Sequence, residues 1–257
     1  MDLSVLQEVI HQYKALDPKI PLGICGIGEP LMHPHFDEAL ALLRGVKFGI
    51  GTNCALLDRK GAAIIKSQPA QIVMSIDAHD QKAMDAMRPK LVYRNVRDNA
   101  LDFISMLQTE IPWWEDVYVQ MIVTEANKHQ VNEYAEYWLD KLSGIPSAQV
   151  FIKQLCPSPD NRTRSMYPSP KVEVDVKNDR LVVCDWEKPI SFSDCSLFSG
   201  FIQVQSDGAI VPCCLTPDDH WNLGNIKDTT LWTVFHEGME PLRGKLRKDI
   251  PFCKDCI

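Results

Sequence analysis

The sequence predicts an α/β protein built on a parallel sheet, followed by a small α+β module held together by cysteines. Three observations predict it. Strand-length apolar runs alternate with amphipathic helical segments over the first 155 residues. The alternation stops at 156–170 (CPSPDNRTRSMYPSP), which carries four prolines and no period. Of nine cysteines, five fall in the last 63 residues, a clustering that in a reducing compartment points to metal ligands rather than disulfides.

In chain order, residues 2–16 read as a helix, with Leu3, Leu6, Val9, Ile10 and Tyr13 on one face and Asp17-Pro18 as its stop. IPLGICGI at 20–27 is short and apolar, like a strand buried on both faces. Helices are expected at 36–44, 58–67, 80–87, 94–109 and 129–142, and strands at 46–52, 71–77, 116–123 and 149–155. Strand and helix in this rhythm imply right-handed crossovers and parallel pairing. Two further strands, 171–176 and 180–185, flank Asn178-Asp179 as a hairpin. A second hairpin joins FIQVQ to AIVPC through Ser206-Asp207-Gly208. From Thr229 the tail is expected to be helical as far as Pro251. The expected division is a β/α domain over 1–160, a linker with a hairpin over 161–190, and a cysteine module over 191–257.

The net charge of −7 and pI near 5.5 argue against an electrostatic footprint for nucleic acid or anionic lipid. No apolar run approaches the roughly 18 residues a membrane span needs. The first residues, MDLSVLQEVIHQY, lack the basic and apolar regions of a secretory signal. A cytoplasmic location is the expectation.

Parallel sheets bind ligands beyond the C-terminal ends of their strands. The first strand ends in Gly26-Ile27-Gly28-Glu29-Pro30, where small residues admit a ligand to the backbone and Glu29 offers an acceptor for an ammonium group. The second ends in Thr52-Asn53-Cys54. The third ends in Ser75-Ile76-Asp77, a hydroxyl and a carboxylate suited to ribose, and Arg88 follows as a partner for a carboxylate. Taken singly, each of these is equally a turn or a helix cap. Cys25 and Cys54 read as small buried hydrophobes at strand ends, and Cys156 and Cys184 as structural.

In the tail, Cys195, Cys213 and the terminal pair Cys253 and Cys256 give four thiolates. Their spacing alone admits either a tetrahedral zinc or a [4Fe–4S] cluster. Cys214 is an alternative to Cys213, since strand alternation turns only one of the two toward a metal.

Together these segments resemble the radical S-adenosylmethionine (SAM) superfamily. GIGEPLMHP is similar to its GGEP segment, VKFGIGTNCALL to its TNG-hydrophobic strand end with Cys54 in place of the usual glycine, and QIVMSIDAHD with MDAMRP to its S-x-D…R segment. VYVQMIVTEAN resembles the strand that follows. The resemblance implies a partial (β/α) barrel in which Gly28 and Glu29 hold the methionyl amine, Ser75 the ribose and Arg88 the carboxylate, with Asn53 and Asp77 in lesser roles.

The tail, with SDGAIVPCC and NLGNI, resembles the SPASM or shorter twitch module. That likeness selects an auxiliary [4Fe–4S] cluster on Cys195, Cys213, Cys253 and Cys256 over zinc. The implied activity is oxidation or modification of a peptide or small polar molecule by a 5′-deoxyadenosyl radical, with flavodoxin or ferredoxin as electron donor.

One departure is plain. The family's catalytic [4Fe–4S] cluster sits on Cys-x3-Cys-x2-Cys, and that motif does not occur in the chain. The family places it just before the helix read at 2–16, and the SAM-facing segments are intact. A missing natural N-terminus is therefore the expectation over a degenerate, non-catalytic relative that binds SAM or a peptide around a structural metal. The 257 residues as written are not expected to cleave SAM themselves.

Overall fold

A computed structural model describes residues 1–16, 21–26, 28–109, 116–154, 170, 172–184, 202–212 and 222–239. The chain divides into two compact units, one formed by 20–155 with 167–185, the other by 1–19, 156–166 and 186–257.

The first unit is a six-stranded sheet in simple sequential order: β1 (Leu22–Ile24), β2 (Phe48–Thr52), β3 (Gln71–Ser75), β4 (Asp116–Val123), β5 (Ala148–Gln154) and β6 (Leu181–Cys184). Every neighbouring pair is parallel. Helices α2 (Phe36–Leu42), α3 (Leu57–Ser67), α4 (Gln81–Met87), α5 (Tyr93–Thr109) and α6 (Val131–Lys141) make the crossovers.

Strand periodicity splits the sheet into two unlike faces. Ile50, Ile72, Val117 and Ala148 stand side by side in register, all at 2% exposure or less. The alternate residues Gln71, Val73, Ser75, Tyr118, Gln120 and Phe151 remain half-exposed on the opposite face. The closed face carries the core, filled by Phe103 and Ile104 of α5 and Tyr134 and Trp138 of α6. At about 25 cal/mol per Å² this apolar layer dominates the unit's stability.

The elements expected from periodicity are present within one to three residues at each end, except around 171–185. Residues 172–178 are not a strand, and β6 pairs in parallel with β5 through Val150↔Leu181 and Ile152↔Val183. The Asn178-Asp179 turn survives, with Asn178 Oδ1 accepting from Arg180 N at 2.9 Å. Val182 and Val183 gain more by extending an existing apolar sheet than from a two-stranded ribbon, which is marginal alone.

In the second unit, α1 (Leu3–Ala15) is capped by Asp2, whose Oδ1 accepts from Ser4 N at 3.0 Å. Strands β7 (Gln203–Val204) and β8 (Ile210–Val211) form the expected antiparallel hairpin. Residues 222–226 lie against β8 through Ile210 N→Gly224 O and Leu223 N→Ile210 O, both 2.8 Å. Two glycines make this possible: Gly208 at φ 91° and Gly224 at φ 134°, where a Cβ would come within 2.8 Å of Asn225 and Thr229 respectively. Helix α7 (Leu231–Thr233) starts on the Thr230 hydroxyl and runs into a π-helical turn, Val234–Gly238. The rest of the expected tail helix lies outside the described residues. No helix among the described residues is long and apolar enough to cross a membrane.

Candidate functional site

The β/α turns at the C-terminal edge of β1 to β4 surround a cleft of about 430 Å³, within the size range of small-molecule sites. Its floor is the open sheet face. Gly23, Gly49 and Gly51 contribute no side chains there, so the backbone itself forms the surface.

Glu29 is the most constrained group in the cleft. One oxygen accepts from the Thr52 hydroxyl at 2.8 Å and from Leu31 N at 3.3 Å, and the other from Asn53 N at 2.8 Å. The carboxylate is thus locked across the ends of β1 and β2. A carboxylate has about four acceptor positions, so among the described residues one direction remains for a ligand donor. Asn53 caps its own turn, Oδ1 accepting from Ala55 N at 3.0 Å. Cys54 follows at φ 66°, fully buried. This is the left-handed conformation that a glycine takes without strain. Burial, reinforced by the negative charge of Glu29, pushes its thiol well above the ordinary cysteine range.

Gly28, Glu29, Asn53, Ser75 and Arg88 all line this one cleft. Asp77 does not. It is buried at 2% exposure, with Oδ2 accepting from Arg88 Nε at 2.8 Å and Nη2 at 2.6 Å, and Oδ1 from Ile122 N at 2.9 Å. Asp77 therefore holds Arg88 at the rim, and the guanidinium reaches the cleft already paired. Asn127, wholly buried, ties the same corner together by donating to Asp77 O and Ile122 O at 2.8 Å each.

Two cleft features escape a motif-by-motif reading. Cys25 is exposed at the end of β1 and lines the cleft, which corrects its expectation as a buried hydrophobe. There β1 is the edge strand of the sheet. Beyond Ser75 runs a polar file: Gln120 Nε2 donates to Ser75 Oγ at 2.7 Å, and Lys153 Nζ donates to Gln120 Oε1 at 3.0 Å. The signal was the period of two in VYVQMIV and VFIKQL, which puts Gln120 and Lys153 on the open face.

Cys195, Cys213, Cys253 and Cys256 lie outside the described residues, as do Cys156 and Cys214. Among the described residues no group of three or more Cys, His, Asp or Glu side chains is arranged to hold a metal. The described part of the hairpin ends at fully buried Val211 of β8, two residues before Cys213.

Comparisons with known proteins agree with these features. Residues 195–257 match the SPASM family, described as an iron–sulfur cluster-binding domain. Among solved structures, the chain is similar to BtrN in complex with AdoMet and 2-DOIA, at 15% identity and a TM-score of 0.50 over 100% of this chain and 80% of that one. The chain shares a partial (β/α) fold with that structure, and its residues 195–257 resemble a SPASM module. An open conformation of BtrN superposes less well, at 13% identity and a TM-score of 0.33, covering 100% of this chain and 79% of that one. The curated proteins contain no match.

Proposed function

We propose that this partial radical SAM fold binds SAM in the cleft of β1 to β4 and serves a radical oxidation or modification of a peptide or small polar substrate. An auxiliary [4Fe–4S] cluster on Cys195, Cys213, Cys253 and Cys256 would complete it. The observation that carries this is the fixed carboxylate of Glu29 over a floor of glycines, beside an oriented Arg88. A compact cation entering the cleft meets an acceptor that needs no reorganisation, so little of its binding energy is lost to ordering.

Glu29 would take the methionyl ammonium, and Gly28 would let the ligand lie against the backbone. Arg88, kept in place by Asp77, would face the methionyl carboxylate with its remaining donors. Ser75, accepting from Gln120, keeps its own proton to donate to a ribose oxygen. SAM, when bound and reductively cleaved at an iron–sulfur cluster, supplies a carbon radical that removes a hydrogen atom from the substrate. The match of 195–257 to an iron–sulfur cluster-binding domain supports the auxiliary site, with its four cysteines inside the matched segment.

Equilibrium dialysis of SAM against the purified protein under anaerobic conditions tests the cleft. Glu29→Gln removes the charge and turns an amide donor toward the donors that now bond it. We expect affinity to fall about 10- to 100-fold. Unchanged affinity, or no SAM binding by the parent protein, overturns the assignment. Iron and sulfide analysis tests the tail: one equivalent of zinc without iron defeats the auxiliary cluster.

A further inference from the structure

The open sheet face continues past the cleft's lining, from Gln120 to the neighbouring strand β5. Lys153 stands on β5, on the open face of the sheet, half-exposed. Its ammonium donates to Gln120 Oε1 at 3.0 Å and lies 5.1 Å from the centroid of the Phe151 ring. Phe151 is braced edge-on by Tyr118, with ring centroids 4.8 Å apart. Among the described residues no carboxylate lies within ion-pair distance of Lys153, whereas Arg88 is paired by Asp77.

An ammonium has three donors, and among the described residues only one is spent. A half-buried cation with one neutral partner is poorly compensated in a medium of reduced dielectric. Its attraction for an anion is correspondingly greater than that of a lysine in open water. The aromatic pair fixes the stem, so ordering the side chain costs little on binding.

The placement gives the face a polarity. Glu29, bonded across to the end of β2, is the negative end, and Lys153 on β5 the positive end. Three strand spacings separate them, about 14 Å. Ser75 and Gln120 fill the interval with neutral hydrogen-bonding groups.

We propose that Lys153 is the substrate anchor at the edge of this cleft, holding a carboxylate of the substrate while Gln120 meets a neutral polar group. The substrate class is then a carboxylate-bearing molecule, either a free small acid or an acidic residue of a peptide. Gln120 acts as a positioning residue. By accepting from Lys153 it turns its amide nitrogen toward Ser75, which sets the orientation of both. This role presupposes that the cleft is the active site, the reading above.

The test uses the full chain and ligand-observed NMR titrations. One arm compares succinate with succinamide, and the other acetyl-Gly-Glu-Gly-amide with acetyl-Gly-Gln-Gly-amide. SAM affinity is measured alongside. We expect the carboxylate probe of at least one arm to bind about tenfold better than its amide. The arm that shows the preference identifies the source. Lys153→Met should abolish the preference, and Lys153→Arg should retain it. SAM affinity should change by no more than about threefold in both variants, because Lys153 reaches the SAM-facing residues only indirectly, through Gln120 and Ser75. Thermal melts identify any variant that does not fold, and Lys153→Gln then replaces Lys153→Met. Equal binding of carboxylate and amide in both arms overturns the proposal, as does a preference that survives Lys153→Met. Failure of SAM binding with a Lys153-dependent carboxylate preference would overturn the SAM assignment and leave the anchor standing.

Discussion

The two described cysteines nearest the cleft differ in what surrounds their sulfur, and that difference is measurable. Cys54 is fully buried, and its thiol is held neutral by desolvation and by Glu29. Thiolate is the reactive form, so Cys54 should resist alkylation in the native protein and react only in denaturant. Cys25 is exposed at the cleft and should label natively, with SAM slowing it. Peptide mass mapping after iodoacetamide treatment checks both. Native labelling of Cys54 would contradict the packing around β2. At this scale the sequence was legible wherever a motif put a residue at a strand end: Gly28, Glu29, Asn53, Ser75 and Arg88 do converge. It was not legible in who bonds whom. Eleven residues separate Asp77 from Arg88, and nothing in that spacing says that the carboxylate faces the guanidinium instead of a ligand. Only the burial of Asp77 beneath the rim decides it.

At the scale of elements, the joint between α4 and α5 carries an alkaline sensitivity. Tyr93, at the start of α5, sits among His79 and Arg97, with its hydroxyl 3.5 Å from His79 Nδ1. Burial, with the nearby phenol of Tyr137, pushes the Tyr93 phenol up from 10.0 to about 12. The folded state therefore keeps a proton that the unfolded chain releases first. Stability from this group is intact below about pH 10 and is lost as the pH rises toward about 12. Urea midpoints across that window should fall more steeply for the parent protein than for Tyr93→Phe. Parallel slopes would remove Tyr93 from this role. A second element-scale prediction concerns α1. Gln12 Oε1 accepts from Leu231 N at 2.7 Å, and so receives one of the free amides that open α7. Gln12→Ala leaves that amide unpaired and should cost about 1–2 kcal/mol in the C-terminal unit, read as faster proteolysis after residue 222. Resistance equal to the parent's would reject the contact. The helices and strands themselves were readable because apolar period and turn residues are local signals. Strand β6 was not, because its partner β5 lies some thirty residues earlier, and an Asn-Asp turn looks the same whether the next strand folds back or joins a parallel sheet.

At the scale of the molecule, the two units are built on different cores. The sheet unit buries side chains from each of β2 to β5, together with residues of α3, α5 and α6. In the C-terminal unit the buried apolar residues described are Val5, Leu6, Val9 and Ile10 of α1, with Ala209, Ile210, Val211, Ile226, Leu231, Val234 and Met239. Small modules of this kind commonly draw further stability from a staple. A metal cluster is such a staple, because ligands brought together only by folding convert binding energy into folding energy. Removing iron by anaerobic chelation should therefore melt the C-terminal unit and spare the sheet. Calorimetry should show one transition splitting into two, the lower belonging to the module. The same split is expected in Cys253→Ala, together with loss of visible absorbance from the cluster. Gly208→Ala should approach it by another route, forcing a Cβ to within 2.8 Å of Asn225 at φ 91° and straining the hairpin that leads to Cys213. A chelated protein that still unfolds in one step at the parent's temperature would mean that the module stands on its own apolar contacts, and that its cysteines have no structural metal to hold.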